Sequence, residues 1–239
     1  MGEVYSRLYW TFGRGPFGLA DAERTLGLGR PKILVAFSKL HSLGGLIVFD
    51  RGRPRRYRLL DPRSLTLRMS GEVLDPGFRQ EQYLQLAFDT FHSLRSRISL
   101  VSFCVFGSVA RGAAGPGSDL DVLAISDEFR GSLASRIDLL SFVDEEVKDE
   151  TAFLRCEGLT PWVSIIPLRR EEAEAEPILL LDPSFNAKLL YDREGFLSEV
   201  LGRLRAKLEL AGSRRVETKE GWYWDLKPDY RQGQEEVLA

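Results

Sequence analysis

Apolar residues recur at helical spacing over residues 4–12 and stop at Gly13-Arg14-Gly15-Pro16, which predicts a short first helix. A second helix is predicted over residues 19–26, with Asp21 and Glu23 in its first turn, where the helix dipole favours acids. After the turn Gly27-Leu28-Gly29, Pro31 suits the first position of a third helix. Its apolar positions Leu34, Phe37, Leu40 and Leu43 recur until Gly44-Gly45. The period then falls to two. Residues 46–49, the turn Asp50-Arg51-Gly52-Arg53 and residues 55–60, which alternate basic and apolar side chains, predict a hairpin.

Residues 61–77 are rich in turn formers and read as a linker, with room for a strand around residues 64–69. Residues 78–98 return to helical spacing through Tyr83, Leu84, Leu86, Ala87, Phe91 and Leu94. They predict a connecting helix on which His92 is a surface or cap residue. Residues 99–106 form an apolar run of strand length, and residues 118–125 a second strand. Beyond lie a helix near residues 133–148, a strand over 161–168, a helix start at Glu171-Glu172, and short apolar pieces at 179–181 and 189–191. Residues 193–210 then carry Phe196, Val200, Leu201, Leu204 and Leu208 at helical spacing. In the tail, strand alternation sets Trp222, Trp224 and Leu226 on one face and Tyr223 on the other, a pattern that favours packing over base stacking.

Charge sharpens the first part of this picture. The formal net charge of -2 conceals +6 in residues 1–61 and -8 in the remainder. Helix, helix, glycine turn, helix and basic hairpin together resemble a winged helix-turn-helix domain. Arg30, Lys32 and Lys39 fall on its third helix, and Arg51, Arg53, Arg55, Arg56 and Arg58 in its wing. Arginines paired with phosphates release condensed counterions, so double-stranded DNA is the partner this resemblance implies. Winged helices also dimerise and dock proteins, so a structural role stays open and a homodimer is compatible with it.

The chemistry concentrates after the 99–106 strand, which leads directly into Gly107-Ser108-Val109-Ala110-Arg111-Gly112. Glycine permits a sharp turn and close ligand approach, serine offers a hydroxyl, and a helix starting there aims free N–H groups at an anion. After the loop 112–117, Ser118-Asp119-Leu120-Asp121-Val122-Leu123 opens the next strand. Its alternation points Asp119 and Asp121 to one side. Two carboxylates on one face repel unless a cation sits between them, and carboxylate and phosphate oxygens are the hard ligands that Mg²⁺ prefers.

In that order these parts resemble the DNA polymerase β-like nucleotidyltransferase superfamily, particularly its small members related to the minimal and kanamycin nucleotidyltransferases. The resemblance implies that Gly107 and Ser108, with Ser118 nearby, hold the triphosphate of an NTP and that Asp119 and Asp121 are the catalytic carboxylates binding Mg²⁺ or Mn²⁺. Arg111 either touches phosphate or braces the motif by pairing with a carboxylate. Members of the superfamily usually add a third carboxylate from a later strand; here the corresponding strand offers only Ser164, with Glu157 upstream and Glu171 just beyond. Two readings follow. One is transfer of a nucleoside monophosphate to an unknown acceptor; the other is a DNA-binding transcriptional regulator whose impaired nucleotidyltransferase-like domain senses a nucleotide.

The fold class expected is α+β: a winged helix-turn-helix over 1–61, a linker and connecting helix over 62–98, and a nucleotidyltransferase-type mixed sheet flanked by helices over 99–239. The 44% hydrophobic and 28% charged content is that of a globular protein. No apolar stretch approaches the roughly 20 residues of a membrane span, and residues 1–7 lack a secretory pattern, so a cytoplasmic protein without membrane contact is expected. Cys104 and Cys156 are too few for a disulfide scaffold. Both sit among apolar neighbours, as buried thiols do, and zinc chemistry is not indicated.

Overall fold

The computed structural model describes residues 1–218 and 221–228. The first segment folds as α1 (Gly2–Phe12), α2 (Leu19–Leu26) and α3 (Arg30–Ser42), followed by the antiparallel hairpin β1 (Leu46–Asp50) and β2 (Arg56–Leu59). Its core gathers Leu8, Phe17, Ala22, Leu26, Ile33, Phe37, Leu40, Leu46 and Leu59. Two backbone hydrogen bonds between Phe17 and Tyr57, each 2.9 Å, lay the α1–α2 connection along the hairpin. The face that α3 buries is Ile33, Ala36, Phe37 and Leu40, whereas Leu34 and Leu43, expected on the inner face, are exposed. A spacing of three drifts around a helix of 3.6 residues per turn, so a stripe drawn through Leu34 and Leu43 leaves the core at both ends.

Residues 62–70, where a strand had room, form helix α4 (Pro62–Ser70) instead. The Asp61 carboxylate accepts from the N–H groups of Arg63 (2.8 Å) and Ser64 (3.0 Å), and Pro62 sits where no N–H is needed, so the start is capped twice over. A short 3-10 turn, Glu81–Tyr83, precedes α5 (Leu84–Arg95), which is buried along nearly its whole length. His92 lies inside this packing, 5% exposed, and is not the surface or cap residue the pattern suggested.

The central sheet has the order β5-β4-β3-β6, built from β3 (Ser102–Phe106), β4 (Leu120–Ile125), β5 (Val163–Leu168) and β6 (Lys188–Asp192). β3 runs antiparallel to β4 and β6, and β4 parallel to β5. Alternation along the strands supplies two cores. Phe103, Val105, Leu120, Val122 and Ala124 face α5, α8 (Phe142–Glu146) and α9 (Lys148–Cys156). Cys104, Leu123 and Ile125 face α10 (Arg170–Glu174), α11 (Leu181–Asn186) and α12 (Phe196–Leu210).

α6 (Gly107–Arg111) joins β3 to the loop before β4, and α7 (Leu133–Leu139) packs beside β5. The helix expected near 133–148 is therefore three short helices, extending to Cys156, which is exposed while Cys104 is buried. The hairpin β7 (Arg214–Thr218) and β8 (Gly221–Asp225) closes the described chain. Trp224 lies 4.9 Å from Phe185, ring centre to ring centre, and Leu226 packs on the second core, whereas the side chain of Trp222 lies outside what is described. Among the described residues no helix is long and apolar enough to cross a membrane.

The hairpin is joined to this body through one face. Ile47, Phe49 and Leu60 belong to the same core as α5, and Arg58, between them on the pleat, forms a two-pronged ion pair with Glu150 of α9 at 2.7 and 2.9 Å. Both side chains are almost fully buried, the Arg58 guanidinium lies 4.0 Å from the centre of the Phe153 ring, and its Nε–H donates to the Arg14 carbonyl. Arg58 is thus not the phosphate contact expected of it. The period-two alternation that makes Arg55 to Leu60 a strand turns this arginine inward.

Candidate active site

The β3 run is buried on both faces and ends at Gly107, where the chain turns into α6 with φ +70°. A Cβ built at Gly107 stands 2.1 Å from Asp121 Oδ2 and 3.0 Å from its Cγ, so only glycine lets the turn lie against the Asp121 carboxylate. α6 stops at Gly112, also left-handed at φ +73°, where a Cβ meets the Arg79 stem at 2.9 Å. Arg79 thereby stands beside the glycine loop, a neighbour the sequence did not single out.

The loop after Gly112 is tied down from both sides. The Ala114 N–H donates to Gln80 Oε1 and Gln80 Nε2 donates back to the Ala114 carbonyl, each at 2.8 Å. Tyr83 Oη donates to the Gly115 carbonyl at 3.3 Å, and the Thr160 N–H to the Pro116 carbonyl at 2.7 Å. Within the loop the Ser118 hydroxyl accepts from the Gly115 N–H at 2.9 Å, so Ser118 serves the turn itself.

β4 carries the two aspartates out of this loop. Asp121 lies opposite Phe106 on β3 and Ser164 on β5, so Phe106, Asp121 and Ser164 form one row across the sheet. Asp119 is exposed and accepts from the Trp162 N–H at 3.4 Å. Asp121 is half-buried, and its pKa is raised: burial disfavours the charged form, Asp119 repels it, Arg111 opposes the rise and Asp182 adds to it. This is the electrostatics of a place short of positive charge, and hard oxygen donors of this kind fit a divalent cation.

The third carboxylate near the pair comes from an unanticipated place. Asp182 on α11 faces Arg111, whose Nη1 donates to Asp182 Oδ2 at 2.5 Å, and Asn186 Nδ2 donates to the same carboxylate at 3.3 Å. Arg111 therefore pairs with a carboxylate, one of the two roles open to it. Glu157 is held by Arg56 at 2.8 Å, and Glu171 projects into solvent, so neither supplies the missing acid. Among the described residues no group of three or more His, Cys, Asp and Glu side chains converges closely enough to hold a metal ion unaided.

The basic residues of the first segment separate by environment. Arg30, Lys32 and Lys39 on α3 and Arg51, Arg53 and Arg55 around the hairpin turn are exposed. Arg51 also lies 3.7 Å from Glu81, and Arg56 is shared between Glu157 and Asp50. Of the eight, Arg58 alone is buried.

Residues 90–179 match the nucleotidyltransferase domain family, a stretch that begins in α5 and contains the Gly107 turn, both aspartates and all of β5. No curated protein matches the sequence. Two solved structures are similar over part of the chain. One, described as a toxin-antitoxin with AMP-PNP, is 14% identical over 53% of this chain and 92% of its own, with a TM-score of 0.33. The other, a mutant of the toxin-antitoxin MntA-HpeT, is 15% identical over 51% and 88%, with a TM-score of 0.30.

Proposed function

We propose that this protein is a nucleotidyltransferase that moves a nucleoside monophosphate from an NTP to an acceptor hydroxyl. The observation that carries the reading is the closure of the Gly107 turn on Asp121, which sets an anion-accepting turn and a repelling carboxylate pair side by side. The family match over residues 90–179 supports it.

In this reading the backbone and hydroxyl of Gly107-Ser108 would hold the triphosphate, and Asp119 and Asp121 would hold Mg²⁺ or Mn²⁺. A divalent ion so bound supplies charge neutralisation on the triphosphate and polarises the reacting oxygens. The acceptor oxygen bonds to the α-phosphorus, the bond from that phosphorus to the bridging oxygen breaks, and pyrophosphate leaves. Arg111 braces the site by holding Asp182 in place through Nη1. Because Ser164 stands where an acid would flank Asp121, the acceptor proton leaves to water.

The first segment, in the same proposal, is a winged helix-turn-helix over residues 1–61 that meets double-stranded DNA through Arg30, Lys32, Lys39, Arg51, Arg53 and Arg55. Affinity for duplex DNA should then fall steeply with salt, by a log–log slope of about 0.9 for each phosphate neutralised. The second reading, a DNA-binding regulator that senses a nucleotide without consuming it, is favoured by the single observation of Ser164 beside Asp121.

Incubation of the full chain with α-labelled NTPs, Mg²⁺ or Mn²⁺ and broad acceptor pools separates the two. Transfer of label with release of pyrophosphate supports the enzyme. Metal-dependent NTP binding with no transferred label under any condition selects the sensor.

A further inference from the structure

Trp162 stands at the rim of the carboxylate pair, its backbone N–H on Asp119. Its backbone is fixed by the motif itself. Leu120 N–H donates to the Trp162 carbonyl at 2.8 Å, Trp162 N–H donates to Asp119 Oδ1 at 3.4 Å, and Thr160, two residues earlier, is tied to Pro116 of the glycine loop at 2.7 Å. The side chain is nevertheless 64% exposed.

The β4–β5 register places Ser164, two residues further on, beside Asp121, and sets Trp162 just before β5 at the edge of the sheet. Leu120 pairs with Val163 and Asp121 with Ser164, and just before this ladder begins Trp162 and Asp119 are joined by the 3.4 Å bond. Paired residues in a parallel ladder point to the same face, so Asp121 and Ser164 line one surface, with Asp119 and Trp162 at its rim. On the far side of Asp121 that surface is closed by α11 and the Arg111–Asp182 pair. Over β5 it is open, since Ser164 and Trp162 are both exposed. The Arg155 guanidinium lies 5.7 Å from the centre of the indole and steadies the ring while leaving most of it bare.

A nucleotide whose triphosphate occupies the Gly107 turn has its nucleoside projecting from the α-phosphate above the aspartates, and the open way leads across Ser164 to the indole. We propose that Trp162 is the stacking platform for the nucleobase of the bound nucleoside triphosphate. The inference rests on the assignment of Gly107-Ser108 and the two aspartates as a metal–triphosphate site. Stacking on an aromatic face tolerates any base, because every base has a π-face, so the contact adds affinity for nucleosides as a class.

The test is calorimetric titration of the full chain in Mg²⁺ with non-hydrolysable triphosphates of all four nucleosides, and with inorganic tripolyphosphate, which has no base. Trp162→Ala should weaken the nucleoside triphosphates on the order of tenfold and leave tripolyphosphate unchanged, and Trp162→Phe should restore most of the loss. Wild-type binding of nucleotides by Trp162→Ala overturns the inference, as does an equal loss for tripolyphosphate, which marks a merely structural role. A wild-type protein that binds tripolyphosphate no more weakly than nucleotides overturns the stacking contact alone. One that binds neither overturns the metal–triphosphate assignment and the stacking with it.

Discussion

Replacing Arg58 by alanine removes one half of a buried ion pair and leaves Glu150, 2% exposed along its side chain, without its cation. Three losses coincide: the two hydrogen bonds of 2.7 and 2.9 Å to Glu150, the bond to the Arg14 carbonyl, and the stacking over Phe153. Truncating one partner of a buried pair costs about 3–5 kcal/mol, chiefly because an uncompensated charge stays in a poorly solvating place. In a chain of 239 residues that corresponds to a fall in Tm of roughly 6–20 °C. Urea and thermal unfolding followed by circular dichroism measure it. Arg55→Ala, at the exposed turn, should stay within about 0.5 kcal/mol of the parent. The double replacement Arg58→Met with Glu150→Leu removes both charges and should recover most of the loss. A cost below about 1 kcal/mol for Arg58→Ala, or a double variant as unstable as the single one, refutes the docking of the hairpin through this pair.

Gly107→Ala forces a Cβ into a left-handed turn, a strain of about 1–2 kcal/mol, and onto the Asp121 carboxylate. It should lower stability by at least that strain and abolish Mg²⁺-dependent triphosphate binding, and wild-type binding by the variant contradicts the site geometry. Glu172 is held at a pKa of about 2, first by the hydrogen bonds from Arg136, with further help from Arg169. A depressed carboxylate contributes stability above its unfolded pKa near 4.5 that is lost as pH falls toward 2. Glu172→Gln should therefore flatten the stability profile between those pH values while lowering it at neutral pH; an unchanged slope contradicts the role of the pair.

What the sequence revealed was what local chemistry fixes. The apolar run ending in Gly107-Ser108 and the alternation through Asp119 and Asp121 encode a strand, a turn and a strand within a few residues each, and those parts stand where the pattern put them. What was hidden depends on partners far away in the chain. Arg58 reads as one more basic residue of an exposed hairpin until Glu150, 92 residues on, is packed against it. Asp182 lies 71 residues beyond Arg111 on a helix too short to announce itself, so no spacing rule finds it.

His92 follows the same logic. Its Nε2 lies 3.0 Å from the Ser64 hydroxyl, which donates to Asp61 at 2.7 Å, and burial, with nearby Arg63, lowers its pKa to about 4. That chain exists only because α4, read as a linker, folds back on α5. Where a signal was present and passed over, as with Asp61-Pro62 and Ser64, it was a helix cap inside a stretch whose prolines drew attention to turns.

The central claim is that Gly107, Asp119 and Asp121 form one metal–triphosphate site, and it is tested most directly by the metal dependence of nucleotide affinity. Titration of a non-hydrolysable NTP in Mg²⁺ and in chelator should show tight binding only with the metal for the parent chain. Asp119→Asn and Asp121→Asn should each lose that dependence while their unfolding curves stay close to the parent's. Equal affinity with and without Mg²⁺, or undiminished metal dependence in Asp121→Asn, contradicts the account.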